Sequence, residues 1–162
     1  MKTTTQPNKS PLQLTRILIP VDFSECSKKA LQYAIPLARQ HQAVLILLSV
    51  IEPTYGGGEM TALDYVQIET ALKTSAETEL AKLVAQEIPA DIVTQTVIRS
   101  GSPSREITES AKVLDVDLIV ISTHGRTGLS HVFLGSVTEH VVQRAPCPVF
   151  VVREREHDIL AS

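Results

Sequence analysis

The chain has 162 residues, 43% of them hydrophobic, and a formal net charge of -3, a length and apolar share that suit one compact domain with a real core. The acidic balance and the absence of any lysine or arginine run leave no electrostatic footprint for DNA or RNA. The longest apolar runs, such as Ala43 to Ile51, fall far short of a membrane span, and the first residues carry no signal-peptide core, so a cytoplasmic protein without a membrane partner is expected. Cys26 and Cys147 stand far apart with no C-x-x-C pair. That excludes a disulfide framework and a zinc site, and both are expected reduced and at least half-buried.

Residues 1–13 (MKTTTQPNKSPLQ) are polar, contain Pro7 and Pro11 and show no period, which reads as a flexible leader. The folded domain is then expected over 14–154, with 155–162 as a tail. Arg16 to Val21 (RILIPV) reads as a buried strand with Pro20 tolerated near its end. It delivers Asp22 to the strand's carboxyl end, where α/β sheets place ligands. Asp22 has a second reading, as a helix cap completed by Glu25 three residues on. Ser24 is the other candidate cap for a helix whose apolar face is Ala30, Leu31, Ala34, Ile35 and Ala38, running to about His41 with Pro36 inside it.

Ala43 to Ile51 (AVLILLSVI) is almost wholly apolar, as a central parallel strand buried on both faces should be. The glycines of TYGGGEM (54–60) lead into no G-K-[ST] and no tight G-x-G-x-x-G turn, so they read as a connection, not a nucleotide loop. From about Thr61 to Glu87, Leu63, Ile68, Leu72, Ala76, Leu80, Leu83 and Val84 keep a helical period, predicting one long amphipathic helix, broken at most once and ended by Pro89. Asp91 to Arg99 reads as a third, more peripheral strand. Ser102 as cap and Pro103 as first helical residue then start a helix to about Leu114 that buries Ile107, Ala111 and Leu114.

The richest stretch is Asp117 to Arg144 (DLIVISTHGRTGLSHVFLGSVTEHVVQR). Leu118 to Ile121 is a buried strand, a small-residue loop follows, and helical spacing returns at Val137, Val141 and Val142. Gly125, Gly128 and Gly135 allow close backbone approach, and a helix starting near Ser136 offers unpaired N–H groups to an anion. The same residues admit a plainer account: Ser136 and Glu139 form an S-x-x-E capping box, and the glycines punctuate a loop. A last strand, Val149 to Val152, opens on Pro148 and therefore belongs at a sheet edge, where pairing with a second copy would cover it. Five strands alternating with four helices predict an open, doubly wound, five-stranded parallel sheet of Rossmann-like type with helices on both faces. If the first and fourth strands are neighbours, Asp22 and the loop after residue 122 flank one crevice.

The chain from Arg16 to Arg153 resembles the universal stress protein family. The likeness rests on ILIPVDFSECSKKAL, SGSPSREI, DLIVISTHGRTGLSHVFLGSVTEHVV and PCPVFVVR. ATP-binding members of that family carry G-x-x-G, nine residues, then G-[ST]. Gly125, nine residues, Gly135 and Ser136 match, while Ser122 stands at the first glycine position.

The resemblance implies an ATP site, with Mg2+, in which Gly125, Arg126, Gly135, Ser136 and Val137 cradle the phosphates. Asp22 would contact the ribose or, with Ser136, the metal, and the Val50 backbone would meet adenine. Pro20, Val21, Ser122, His124 and Gly128 complete the implied nucleotide-binding set. The implied function is a homodimeric, nucleotide-responsive stress module. Its alternatives are a slow ATPase or self-phosphorylating protein using the same pocket, and a nucleotide-free dimeric scaffold. The S-G-G-x-D-S, H-I-G-H and K-M-S-K-S signatures of adenylyl-transfer folds are missing, and no water-positioning base stands out, which disfavours catalysis.

Overall fold

The computed structural model describes residues 12–52, 61–123 and 134–153. Strands and helices alternate along the chain as β1 (Arg16–Pro20), α1 (Glu25–His41), β2 (Val44–Ile51), α2 (Ala62–Glu87), β3 (Thr94–Ser100), α3 (Pro103–Val113), β4 (Leu118–Ser122), α4 (Ser136–Arg144) and β5 (Val149–Val152). The strands form one sheet in the order β3-β2-β1-β4-β5, every neighbouring pair parallel. From β1 the chain steps outward to β2 and β3, and α3 then carries it back to the far side of β1. The reversal between β1 and β4 is a topological switch point, where ligands bind outside the carboxyl ends of the strands. The expected doubly wound five-stranded sheet is the fold found.

The unbroken apolar runs follow from burial on both faces. Ile17, Ile19, Leu45, Leu47 and Val120 point to one side, against Ala30 and Leu31 of α1 and Leu80 and Leu83 of α2. Leu18, Ile46, Leu48, Ile119 and Ile121 point to the other, against Ile107 and Ala111 of α3 and Val141 of α4. Each fully buried Leu or Ile contributes about 1.5–3 kcal/mol. The three central strands, where these side chains concentrate, therefore anchor the fold and hold the switch point rigid.

The helix starts are locally encoded. Ser24 caps α1, its Oγ accepting from the Ser27 N–H at 3.2 Å, and the helix continues through Pro36 to His41. Thr61 and Asp64 form a reciprocal capping box at the start of α2, the Asp64 N–H donating to Thr61 Oγ1 at 3.3 Å and the Thr61 N–H to Asp64 Oδ2 at 2.8 Å. Ser102 precedes Pro103 at the head of α3 as read from the sequence.

Three expectations need correction. Helix α2 is the one long helix expected, but only Ala76, Leu80 and Leu83 of its apolar residues are buried. Leu63, Ile68 and Leu72 are exposed instead, because the helix packs on β2 and β3 only through its second half. Strand β3 starts at Thr94, not Asp91. Asp91 instead accepts from Arg39 Nε at 2.8 Å and a second guanidinium nitrogen at 3.1 Å, which ties the end of α1 to the turn before β3. Leu114 is the C-cap of α3 and half-buried, not a core residue.

β5 is an edge strand, paired on one side with β4. Cys26 and Cys147 are half-buried and not disulfide-bonded, and burial pushes the Cys147 thiol up, keeping it protonated at neutral pH. Among the described residues no helix is long and apolar enough to cross a membrane.

Candidate functional site

The crevice opens because two central strands part. β1 pairs with β2 from Arg16 to Pro20, and the Val21 N–H extends that ladder to the Leu48 carbonyl at 2.8 Å. β1 and β4 are paired only at Ile17–Leu118 and Leu18–Ile119. Beyond those positions β1 stays with β2 while β4 stays with β5 as far as Ser122–Val152. The gap between them faces the carboxyl end of the sheet.

On the β1 side stands Asp22, half-buried. Its Oδ1 accepts from the Ser24 N–H at 3.1 Å and from Ser24 Oγ at 2.6 Å. Asp22 is thus not itself the helix cap. Ser24 is, with Asp22 bracing it, and Glu25 pairs with Lys28 at 2.8 Å instead of closing a box with Asp22. Phe23, at φ 66, turns the chain between them.

On the β4 side Ser122 and Thr123 are buried although polar. The Thr123 N–H donates to the Val152 carbonyl at 2.9 Å, and the Thr123 carbonyl accepts from the Gly135 N–H at 2.9 Å. Thr138 Oγ1, buried, donates to the Ser122 carbonyl at 2.8 Å. These bonds fasten the first turn of α4 onto the end of β4. The fit leaves no room for a side chain at Gly135, where a Cβ would lie 2.9 Å from the Thr123 carbonyl oxygen. Glycine is required there by the protein's own strand, before any ligand is considered.

Gly135 is also the N-cap residue of α4, so Ser136 is its first helical residue. The capping box expected of Ser136 and Glu139 is not formed. The Glu139 N–H donates to the Gly135 carbonyl as an ordinary helical turn, and among the described residues no side-chain hydrogen bond caps the helix. A helix start without a side-chain cap presents its first N–H groups and its positive dipole end to whatever anion lies before it. Ser136 is exposed, whereas Val137 packs its side chain into the core and has only backbone to offer.

Val50 is half-buried near the end of β2, in register with Arg99 of β3. One residue on, the Ile51 carbonyl accepts from the Gly101 N–H at 2.9 Å. Gly101 holds φ +149, and a Cβ there would meet the Glu106 carboxyl at 2.9 Å, so a larger residue would disturb the turn into α3. Pro20 is half-buried and Val21 buried beside the crevice. His124, Gly125, Arg126 and Gly128 lie outside the described residues. The sequence reading passed over Thr123 and Thr138. A threonine at a strand exit and another just inside the next helix look ordinary until the two are seen in contact.

Asp22 and Ser136 belong to opposite walls of the crevice. Among the described residues no group of three or more His, Cys, Asp or Glu side chains could hold a metal ion. A cation between these walls would take its remaining ligands from water and from the anion it accompanies, a coordination habit of Mg2+ with phosphates.

The sequence matches the model of the universal stress protein family over residues 13–153. The chain belongs to that family. Among curated relatives, this universal stress protein is 33% identical over 139 residues to universal stress protein MJ0531 of Methanocaldococcus jannaschii, covering 86% of this chain and 82% of that one. It is 32% identical to universal stress protein YxiE of Bacillus subtilis, over 85% of this chain and 98% of that one.

Among solved structures, universal stress protein UspA from Lactobacillus plantarum superposes with a TM-score of 0.70 at 33% identity, over 88% of this chain and 99% of that one. More distant members share the fold at lower identity. One is a universal stress protein in complex with cAMP, with a TM-score of 0.61, 22% identity and coverage of 87% and 98%. Another, from Archaeoglobus fulgidus, is in complex with dAMP, with a TM-score of 0.55, 20% identity and coverage of 86% and 98%.

Proposed function

We propose that this universal stress protein binds ATP with Mg2+ in the crevice between β1 and β4, and acts as a homodimeric, nucleotide-responsive module in stress signalling. The observation that carries the reading is the start of α4, which among the described residues has no side-chain cap and is clamped to β4 across the crevice from Asp22. Helix amides that no side chain satisfies suit a phosphate, and the clamp sets them in place before the ligand arrives. The complexes of distant fold neighbours with cAMP and dAMP support an adenine nucleotide as the ligand class.

In this reading the N–H groups of Ser136 and Val137 meet the phosphates, and Gly135 keeps them close. Asp22 turns to the ribose or, with Ser136, to Mg2+. The Val50 backbone meets adenine, while Pro20, Val21 and Ser122 line the crevice floor. His124, Gly125, Arg126 and Gly128, from the intervening segment, complete the phosphate side, with Arg126 supplying positive charge. The sequence pI near 5.9 gives no electrostatic footprint for a nucleic acid. Homodimerisation is assigned to β5, whose outer edge is unpaired among the described residues and carries exposed Phe150.

The test is to denature freshly purified protein, separate the released small molecules by chromatography with mass detection, and quantify nucleotide against protein. Near-stoichiometric ATP is expected. ADP, or a falling ATP share on incubation with Mg2+, would move the reading to a slow ATPase. No nucleotide, with none taken up on adding ATP, would overturn it in favour of the scaffold.

A further inference from the structure

Among the described residues three other than glycine hold a positive φ: Phe23 at 66°, Gln42 at 55° and Asp115 at 50°. Two are accounted for by helix ends. Gln42 is the C-cap of α1, its N–H donating to the Ala38 and Arg39 carbonyls. Asp115 follows Leu114, the C-cap of α3, and its N–H donates to the Lys112 carbonyl at 3.2 Å. A left-handed residue is a common way to stop a helix. Phe23 stops none, since it lies between β1 and the start of α1. A bulky side chain is also a poor choice for that conformation, which glycine, asparagine or aspartate adopts at lower cost.

The chain has little length in which to turn here. The Val21 N–H still belongs to the sheet, donating to the Leu48 carbonyl at 2.8 Å, and Ser24 is already the extended N-cap of α1. Asp22 and Phe23 carry the whole change of direction. Asp22 Oδ1 closes the turn by accepting the Ser24 N–H at 3.1 Å, an aspartate turn onto the backbone two residues on. That bond survives Ser24→Ala. The half-buried Phe23 side chain packs against the core cluster on the α1 face of the sheet. Backbone strain of this kind persists only where surrounding packing over-determines it.

We propose that Phe23 is a positioning residue for the nucleotide site: its ring, fixed on the core, locks the left-handed turn that holds Asp22 in the β1 wall of the crevice before the ligand arrives. The assignment rests on the nucleotide reading above and adds to it a residue that acts only through Asp22. Glycine at position 23 reaches the same φ with less strain, but it takes negative φ about as readily. There the turn opens and the carboxylate leaves its place. The competent fraction of molecules falls, and the apparent affinity falls in proportion.

Calorimetric titration of the full-length protein with ATP and Mg2+ tests this. Asp22→Asn is expected to weaken binding, as loss of a ligand contact should. Phe23→Gly should weaken it about tenfold, the loss that follows if one molecule in ten keeps the turn closed. Phe23→Tyr, which keeps the ring, should bind close to wild type. In the Asp22→Asn background Phe23→Gly should cost nothing further, because no carboxylate is left to position. Circular dichroism checks the fold, and Phe23→Asn, which also accepts the left-handed conformation, replaces the glycine variant if that one does not fold. Wild-type binding by Phe23→Gly or by Asp22→Asn, or an equal loss with and without the Asp22 carboxylate, would overturn the proposal and leave the nucleotide reading standing. A wild-type protein that takes up no ATP would overturn both.

Discussion

Two helices begin at the carboxyl end of the sheet beside the switch point, and they are finished in opposite ways. At α1 the chain satisfies itself: Ser24 caps the first turn, and Asp22 takes both the N–H and the hydroxyl of Ser24. At α4 the hydrogen bonds run backward to β4, through Gly135 and Thr138, and among the described residues no side chain caps the first turn. A closed start secures its own helix. An open start that is held in place by other bonds keeps its first turn fixed without closing it, and the proposed nucleotide site rests on that difference.

The largest effect is expected at the clamp. Gly135→Val drives a branched side chain into the Thr123 carbonyl, and should abolish nucleotide binding while lowering stability by about 1–3 kcal/mol. Calorimetric titration with ATP and a denaturant melt separate the two losses. Thr138→Val keeps the shape but leaves the buried Ser122 carbonyl without its hydroxyl donor. A stability loss of about 1–2 kcal/mol is expected, with a severalfold weaker affinity as the first turn of α4 loosens.

At the closed start the pattern should reverse. Ser24→Ala removes the cap of α1 for about 1 kcal/mol and leaves ATP affinity close to that of wild type. A large loss of affinity in that variant would erase the distinction between the two helices.

The smallest effect is expected at the opposite end of the sheet, which serves as a reference for both. Burial works to raise the Asp117 carboxyl, but hydrogen bonds from the Thr15 side chain and from the Thr15 and Arg16 backbone outweigh it and hold it below the usual carboxylate range. A carboxyl lowered in the folded state contributes stability above its unfolded pKa of about 3.9 and loses it as pH falls through the folded value. Asp117→Asn should therefore cost about 1 kcal/mol or less at neutral pH, given solvent screening. The gap to wild type should close below about pH 4, with ATP affinity unchanged throughout. Urea melts at several pH values measure it.

What the sequence carried was whatever neighbouring residues decide among themselves. Apolar runs such as LILL in β2 show two-sided burial. Ser24, Thr61 and the Ser102–Pro103 pair mark helix starts because a cap needs only the next three residues. The capping box read into Ser136 and Glu139 shows where that reasoning stops. The box is not formed: the helix starts one residue earlier than read, at a Gly135 N-cap whose N–H is held by the Thr123 carbonyl twelve positions away.

The periodicity of α2 misled in the same way. A stripe from Tyr65 to Leu83 is continuous in sequence, and nothing local says that the sheet ends beneath Ala76. The chain alone thus determined the elements, the two-sided core and the Gly135–Ser136 start of α4. Only the tertiary structure decided that β1 and β4 are neighbours that part, that Gly135 answers first to a backbone carbonyl, and that the buried residues of α2 lie in its second half. Those outcomes depend on which residues distant in sequence meet, and local periodicity does not contain that information.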